Sequence, residues 1–292
     1  MRRQFCESAS EIVRNSDNAA LLLGDIGVFG FRQVLSEFPL RAINIGILEQ
    51  SMVGVAAGFS LAGFTPIVHT IAPFMVERAL EQIKIDFGYQ RLAGNFVSVG
   101  ASFDYAALGC THHCPADISI LSDIPGANLY IPGTAIEFEQ MFRSNWDNGK
   151  LNYFRLSETV NSVSYISNSN LHLVKPGESA TVIVVGPLLD RVIESTSNLD
   201  LDVFYLNHLG PEEINFSGLS IKGKKVVIIE PYYSGPVLQR MSSYLESNDL
   251  RVLQIGIPRM FLTNYGTAEE HYSNLGFSPK ELHQRIKGFV NA

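Results

Sequence analysis

Cysteine is scarce: Cys6, Cys110 and Cys114 are too few, and odd in number, to frame a chain of 292 residues with disulfides. Cys110-Thr-His-His-Cys114 contains zinc ligand types, but zinc patterns separate their ligand pairs widely, and the adjacent His112 and His113 point apart in an extended segment. That spacing argues against zinc. No basic run occurs, and 22 Lys and Arg against 29 Asp and Glu leave a net charge of −7, which excludes a nucleic-acid footprint. No apolar run approaches about 18 residues, so no membrane span is expected, and the first residues, from Met1 to Glu7, show no apolar signal segment. The expected location is the cytoplasm. Charged residues are only 17% of the chain and hydrophobic residues 46%. A free monomer usually carries more charge, so part of the surface is expected to be covered by other protein in an oligomer or complex.

What is present is organised around Arg41-Ala-Ile-Asn-Ile-Gly-Ile-Leu-Glu-Gln50 and the small-residue stretch that follows it to Gly63. Residues 43–47 read as a short buried strand. From Glu49 onward, Gly54, Ala56, Ala57, Gly58 and Ala62 mark a helix that something approaches closely. A carboxylate therefore stands at a strand-to-helix junction, where ligands bind in open α/β sheets, and an apolar junction disfavours its charged form. Glu49 is the first candidate for acid/base work. The competing reading is a first-turn glutamate that complements the helix dipole.

The rest of the chain alternates strands and helices. Residues 6–15 read as an amphipathic helix and 19–24 as a buried strand ending at Asp25. Gly24-Asp-Ile-Gly-Val-Phe-Gly30 lacks the spacing of a phosphate loop and reads as a glycine-rich turn. Strands are expected at 65–70, 95–100, 129–132 and 153–156, with helices over 74–86, from about 115, and over 135–147. The long loop 101–113 follows a buried strand, where loops of that length are commonly functional. A Ser/Asn-rich linker over 161–178 separates a first domain, 1–160, from a second, 179–292, in which the alternation restarts. Nearly continuous β-branched runs predict largely parallel sheets covered on both faces, hence an α/β fold in each domain.

Arg41 to Gly63 with Glu49-Gln50, then Phe74 with Arg78-Ala-Leu-Glu-Gln-Ile83, then Gly109-Cys-Thr-His-His113 with Asp117-Ile118, resemble the pyrimidine-binding domain of transketolase-like, thiamine diphosphate dependent enzymes. The second domain is similar to the transketolase C-terminal domain, so the resemblance covers almost the whole chain. It implies the cofactor thiamine diphosphate with Mg²⁺. The family holds the diphosphate and metal on a separate domain marked by Gly-Asp-Gly, and no Gly-Asp-Gly occurs here. The resemblance therefore implies the second half of a split enzyme, completed by a partner chain of the Gly-Asp-Gly type in an α2β2 heterotetramer, with no metal ligand of its own.

Position by position, the resemblance gives Glu49 the hydrogen bond to the aminopyrimidine ring nitrogen, which promotes loss of the thiazolium C2 proton. Phe74 matches the aromatic packed on the pyrimidine face, and Asp25 and Ile47 lie at the cofactor cleft. His112 matches the active-site histidine at the substrate carbonyl or hydroxyl, with His113 beside it. Arg155 matches an arginine that binds a sugar phosphate, and Arg2 a second one. The substrate pattern departs from the family: Phe29 and Gly100 replace Ser and His, and Leu108 replaces an Asp that reads a hydroxyl. Losing a polar partner abolishes selection for the hydroxyl it served. The implied activity is transfer of a two-carbon ketol or acyl unit from a ketose to an altered acceptor, an unusual sugar or nucleotide sugar. The alternatives are the β subunit of a 2-oxo acid dehydrogenase and a non-catalytic interaction subunit that keeps the fold.

Overall fold

A computed structural model describes residues 1–166, 171–211 and 221–292. Two sheets form the framework, seven strands in one and five in the other. In the first, β1 (Ala19–Leu23), β2 (Ala42–Asn44), β3 (Thr65–Ile71), β4 (Gly94–Val99), β5 (Asn128–Tyr130) and β6 (Leu151–Arg155) pair in parallel, in the order β5-β6-β4-β3-β1-β2. Every residue of β1, β3, β4 and β6 is buried. This is the two-sided covering that continuous apolar runs predict, and it turns the carboxyl ends of the strands into the one edge where side chains can meet a ligand.

The second sheet contains β7 (Leu171–Lys175), β8 (Ala180–Val185), β9 (Leu201–Leu206), β11 (Lys225–Tyr233) and β12 (Arg251–Ile257), in the order β12-β11-β8-β9-β7. It is parallel except for β7, which runs antiparallel to β9. The expected linker over 161–178 thus contains an edge strand of the second domain. Its five residues are too few and too partly exposed to show a period, and residues 167–170, at the linker's centre, lie outside the described residues.

The domains interlock. Directly after β9 the chain crosses back, and β10 (His208–Leu209) pairs antiparallel with β5 at the end of the first sheet. Beneath this crossing the buried Glu137 carboxylate accepts hydrogen bonds from Gly133 N at 2.8 Å, Tyr165 N at 2.9 Å and the Tyr205 hydroxyl at 2.7 Å. A buried carboxylate with that many donors is a fixed joint rather than a reactive group. The apolar core also runs from Met52 and Val68 of the first domain to Ile183 and Ile228 of the second.

Two sequence expectations change locally. The strand expected over 43–47 ends at Asn44, because Gly46 turns the chain at φ +85°. The helix expected over 74–86 is broken into Ala72–Val76, Leu80–Gln82 and a π-helical segment Ile83–Tyr89. Helix Glu49–Leu61 forms as read and buries Met52, Val53, Ala56 and Ala57. Gly54 and Gly58 face outward instead, where an added Cβ would meet nothing within 4 Å. No helix among the described residues is long and apolar enough to cross a membrane.

Candidate active site

Four strand ends of the first sheet converge on one edge. β1 delivers Asp25, β2 leads into Glu49, β3 leads into Phe74, and β4 opens into the loop that carries His112. Asn44 fastens the first two: its Oδ1 accepts from Asp25 N at 3.0 Å and Gly46 N at 3.3 Å, while its Nδ2 donates to Asp25 Oδ1 at 3.0 Å. Asp25 sits at φ +58°, a left-handed conformation that Asp tolerates better than most residues. Leu48 N donates to Gly46 O at 2.8 Å, so the glycine turn sets the entry of the helix that begins at Glu49.

Glu49 is 1% exposed. Its Oε2 accepts from Arg78 Nη1 at 2.7 Å, and its Oε1 is buried without any hydrogen-bond partner. The apolar junction expected around this acid thus holds a cation on one side only. An unpaired buried carboxylate oxygen carries a desolvation penalty of about 1–3 kcal/mol or more, which a donor from a ligand or water would relieve. Arg78 lies over the ring of Phe74, its guanidinium carbon 4.1 Å from the centroid. The same ring meets His112 edge-on at 5.2 Å. Glu49, Arg78, Phe74 and His112 therefore form one continuous cluster, and His112 Nδ1 lies 3.1 Å from the Thr111 hydroxyl. Ile47 is exposed on the turn just before Glu49.

The loop after β4 is shaped by Gly100, at φ +80°, where an added Cβ would lie 2.8 Å from the Tyr105 ring. Tyr105 thus fills the space a side chain at 100 would occupy. Asp104 accepts from Ala101 N and Glu158 N, both at 3.0 Å, yet burial outweighs these bonds and pushes its carboxyl up to about 7. Ser102 and Pro115 tie the loop to β11, the former through its hydroxyl to Pro231 O and the latter by accepting from Tyr233 N at 2.8 Å.

Two sequence-derived site residues turn away from this edge. Arg155 is 1% exposed, donates to Asp117 Oδ2 at 2.7 Å and to the Ser102 hydroxyl at 2.5 Å. Asp117 also accepts from the Tyr153 hydroxyl at 2.9 Å. The guanidinium bolts the loop to β6, and its contacts in this chain lie inside the fold, whereas the sequence placed Arg155 at a sugar phosphate. His113 points inward, packed against Phe103 at 5.2 Å and His271 of helix Ala268–Asn274 at 5.2 Å. Burial and then the neighbouring His271 push its imidazole down from the ordinary value. Only His112 of the pair faces the cluster.

Arg2 is exposed and, with Arg3, Cys6, Asp25 and Phe29, lines an open groove of about 530 Å³. Phe29 is 80% exposed and Leu108 55%, so both apolar departures from the family pattern face solvent. Sequence reasoning passed over Asn44, and over Arg78 and Asp117 as partners. The signal for Arg78 lay in its position four residues after Phe74, a spacing that keeps two side chains close along a helical stretch, here at the turn that follows Ala72–Val76.

The class these features define is a two-domain α/β protein with a cluster of polar and aromatic side chains at the strand ends of its first sheet. Residues 12–161 match the family described as transketolase, pyrimidine binding domain. The chain belongs to that family. It is 33% identical, over 98% of its length and 93% of the relative's, to a 33.6 kDa protein of the fasciation locus of Rhodococcoides fascians. It is 23% identical to one of the subunits of the apulose-4-phosphate transketolase of Phocaeicola vulgatus, with coverage of 99% and 97%. A split-gene transketolase solved as an inactive β4 tetramer superposes at a TM-score of 0.82, 19% identity, with 99% and 97% covered. The transketolase of Campylobacter jejuni superposes at 0.81, 19% identity, over 98% of this chain and 46% of its own. The chain corresponds to the C-terminal half of a transketolase-like enzyme, its pyrimidine-binding and C-terminal domains.

Proposed function

We propose that the chain is the β-type subunit of a thiamine diphosphate dependent transketolase-like enzyme that moves a two-carbon ketol unit from a ketose to an aldehyde or ketone acceptor. The observation that carries this reading is the buried, unpaired Oε1 of Glu49 beside the aromatic face of Phe74. A flat heterocycle with one polar edge satisfies both, since its face finds a ring and its edge finds a carboxylate. When bound, thiamine diphosphate supplies the electron sink for breaking the ketose carbon–carbon bond. Glu49 would hold the proton at the pyrimidine ring nitrogen, Phe74 would pack on the ring, and Asp25 with Ile47 would border it. His112, half-buried and edge-on to Phe74, is placed to exchange a proton with the substrate oxygen.

The diphosphate and Mg²⁺ belong, in this reading, to a partner chain of the Gly-Asp-Gly type. Among the described residues no three His, Cys, Asp or Glu side chains gather to hold a metal. The outward Gly54 and Gly58, with Val55 and Leu61 exposed on the same helix, support coverage by another chain in an α2β2 assembly. The relative named for apulose-4-phosphate supports a sugar phosphate as substrate class. With Arg155 committed inside the fold, Arg2 is the candidate for that anion. Phe29 and Leu108 favour an acceptor with fewer hydroxyls to read than an ordinary pentose phosphate.

The test is replacement of Glu49 by Gln in the reconstituted pair, followed by assay with ketose donors and sugar aldehydes. Turnover should fall by about 100-fold or more, the usual scale for a lost acid/base group. Undiminished cofactor-dependent turnover would remove Glu49 from the mechanism.

A further inference from the structure

Arg78 makes two contacts, one with the second oxygen of the Glu49 carboxylate and one with the Phe74 face that the aminopyrimidine would claim. Its Nη1 donates to Glu49 Oε2 at 2.7 Å, and its planar guanidinium lies 4.1 Å over Phe74. The group is flat, rich in N–H donors and stacked on an aromatic ring, so it resembles the cofactor's ring in shape and hydrogen bonding. Glu49 is 1% exposed, whereas the Arg78 side chain is 42% exposed. The arginine can therefore swing into water at little desolvation cost, while the carboxylate cannot follow it.

The chemistry of the pair points the same way. A carboxylate bound to a guanidinium acts as a hydrogen-bond acceptor only. The role proposed for Glu49 is a hydrogen bond with a ring nitrogen, and the departure of Arg78 frees the second carboxylate oxygen for the ligand. Arg78 lies between the short helices Ala72–Val76 and Leu80–Gln82, with Ala79 outside helical geometry.

Resting on the cofactor reading above, we infer that Arg78 is an internal stand-in for the aminopyrimidine. It satisfies half of Glu49 and covers Phe74 in the unliganded chain, and it yields both to the cofactor. Arg78 is thus a positioning residue that competes with the ligand instead of holding it.

The test is calorimetric titration of thiamine diphosphate with Mg²⁺ into the chain paired with its Gly-Asp-Gly partner, comparing wild type, Arg78→Ala, Arg78→Gln, Glu49→Gln and the Glu49→Gln/Arg78→Ala double variant. A ligand that must displace a group held closed most of the time loses affinity by the open fraction, so both Arg78 variants should bind about three- to tenfold more tightly than wild type. In the Glu49→Gln background, where the arginine has lost its anchor, the same change should add nothing. Equal or weaker binding in both Arg78 variants, or an undiminished gain in the double variant, would overturn the inference and leave the cofactor assignment standing. A wild-type pair that binds no thiamine diphosphate would overturn both.

Discussion

Two arginine–carboxylate pairs stand in the first domain, and they are built to opposite plans. Arg155 and Asp117 are 1% and 0% exposed, and donors and acceptors close around them: Ser102, Tyr153 and the backbone of Ile118 all take part. Arg78 and Glu49 make an ion pair of the same length, 2.7 Å, but the arginine is half in water and one carboxylate oxygen has no partner. Saturation suits a structural joint, whereas the open oxygen of Glu49 leaves room for one more donor. Identity of residue type says nothing about which is which. Only the count of partners does.

The contrast can be broken most severely at the saturated pair. Asp117→Leu leaves the Arg155 charge buried and uncompensated, and should cost about 3–5 kcal/mol of unfolding free energy, read from a denaturant titration. A loss under about 1 kcal/mol would mean that Arg155 finds water and is not the bolt described here. At the incomplete pair the expected effect moves from stability to turnover. Glu49→Gln should change unfolding free energy by less than about 1 kcal/mol, because Arg78 can turn to solvent, while turnover drops by about 100-fold or more. His112→Ala should lower turnover by about 10-fold or more, through the loss of a proton-exchanging group, with an unchanged denaturation midpoint.

The smallest effect concerns Asp104, which lies within the field of Arg155. Its folded-state value of about 7 stands above the ordinary 3.8, burial being the larger cause. Between those two values the folded chain holds a proton that the unfolded chain has released. This carboxyl therefore contributes stability that is complete below pH 3.8 and is lost as the pH rises toward about 7. Asp104→Asn should flatten the fall in melting temperature across that window; an unchanged slope would place the titration elsewhere.

Much of this was legible in the residue order. The continuous apolar strands, the helix that starts at Glu49 and the aromatic at Phe74 follow from local rules of burial and strand-end geometry, and so does the fold class. The roles of the arginines were not legible. Arg155 and Arg78 are alike in sequence terms, and their difference arises from side chains that come from far along the chain, Asp117 for one and Glu49 for the other. His113 was indistinguishable from His112 until the loop's two short 3₁₀ turns, 106–108 and 110–112, set their directions. Strand β7 and the returning β10 escaped because their pairing partners, not their own periodicity, make them strands.

The central claim is that this chain supplies one wall of a thiamine diphosphate site and another chain supplies the other. The direct test is calorimetric titration of thiamine diphosphate and Mg²⁺ into the chain alone and into the chain combined with a partner carrying Gly-Asp-Gly. The account predicts binding only in the combination. Tight binding by the chain alone, or none in either, would contradict it.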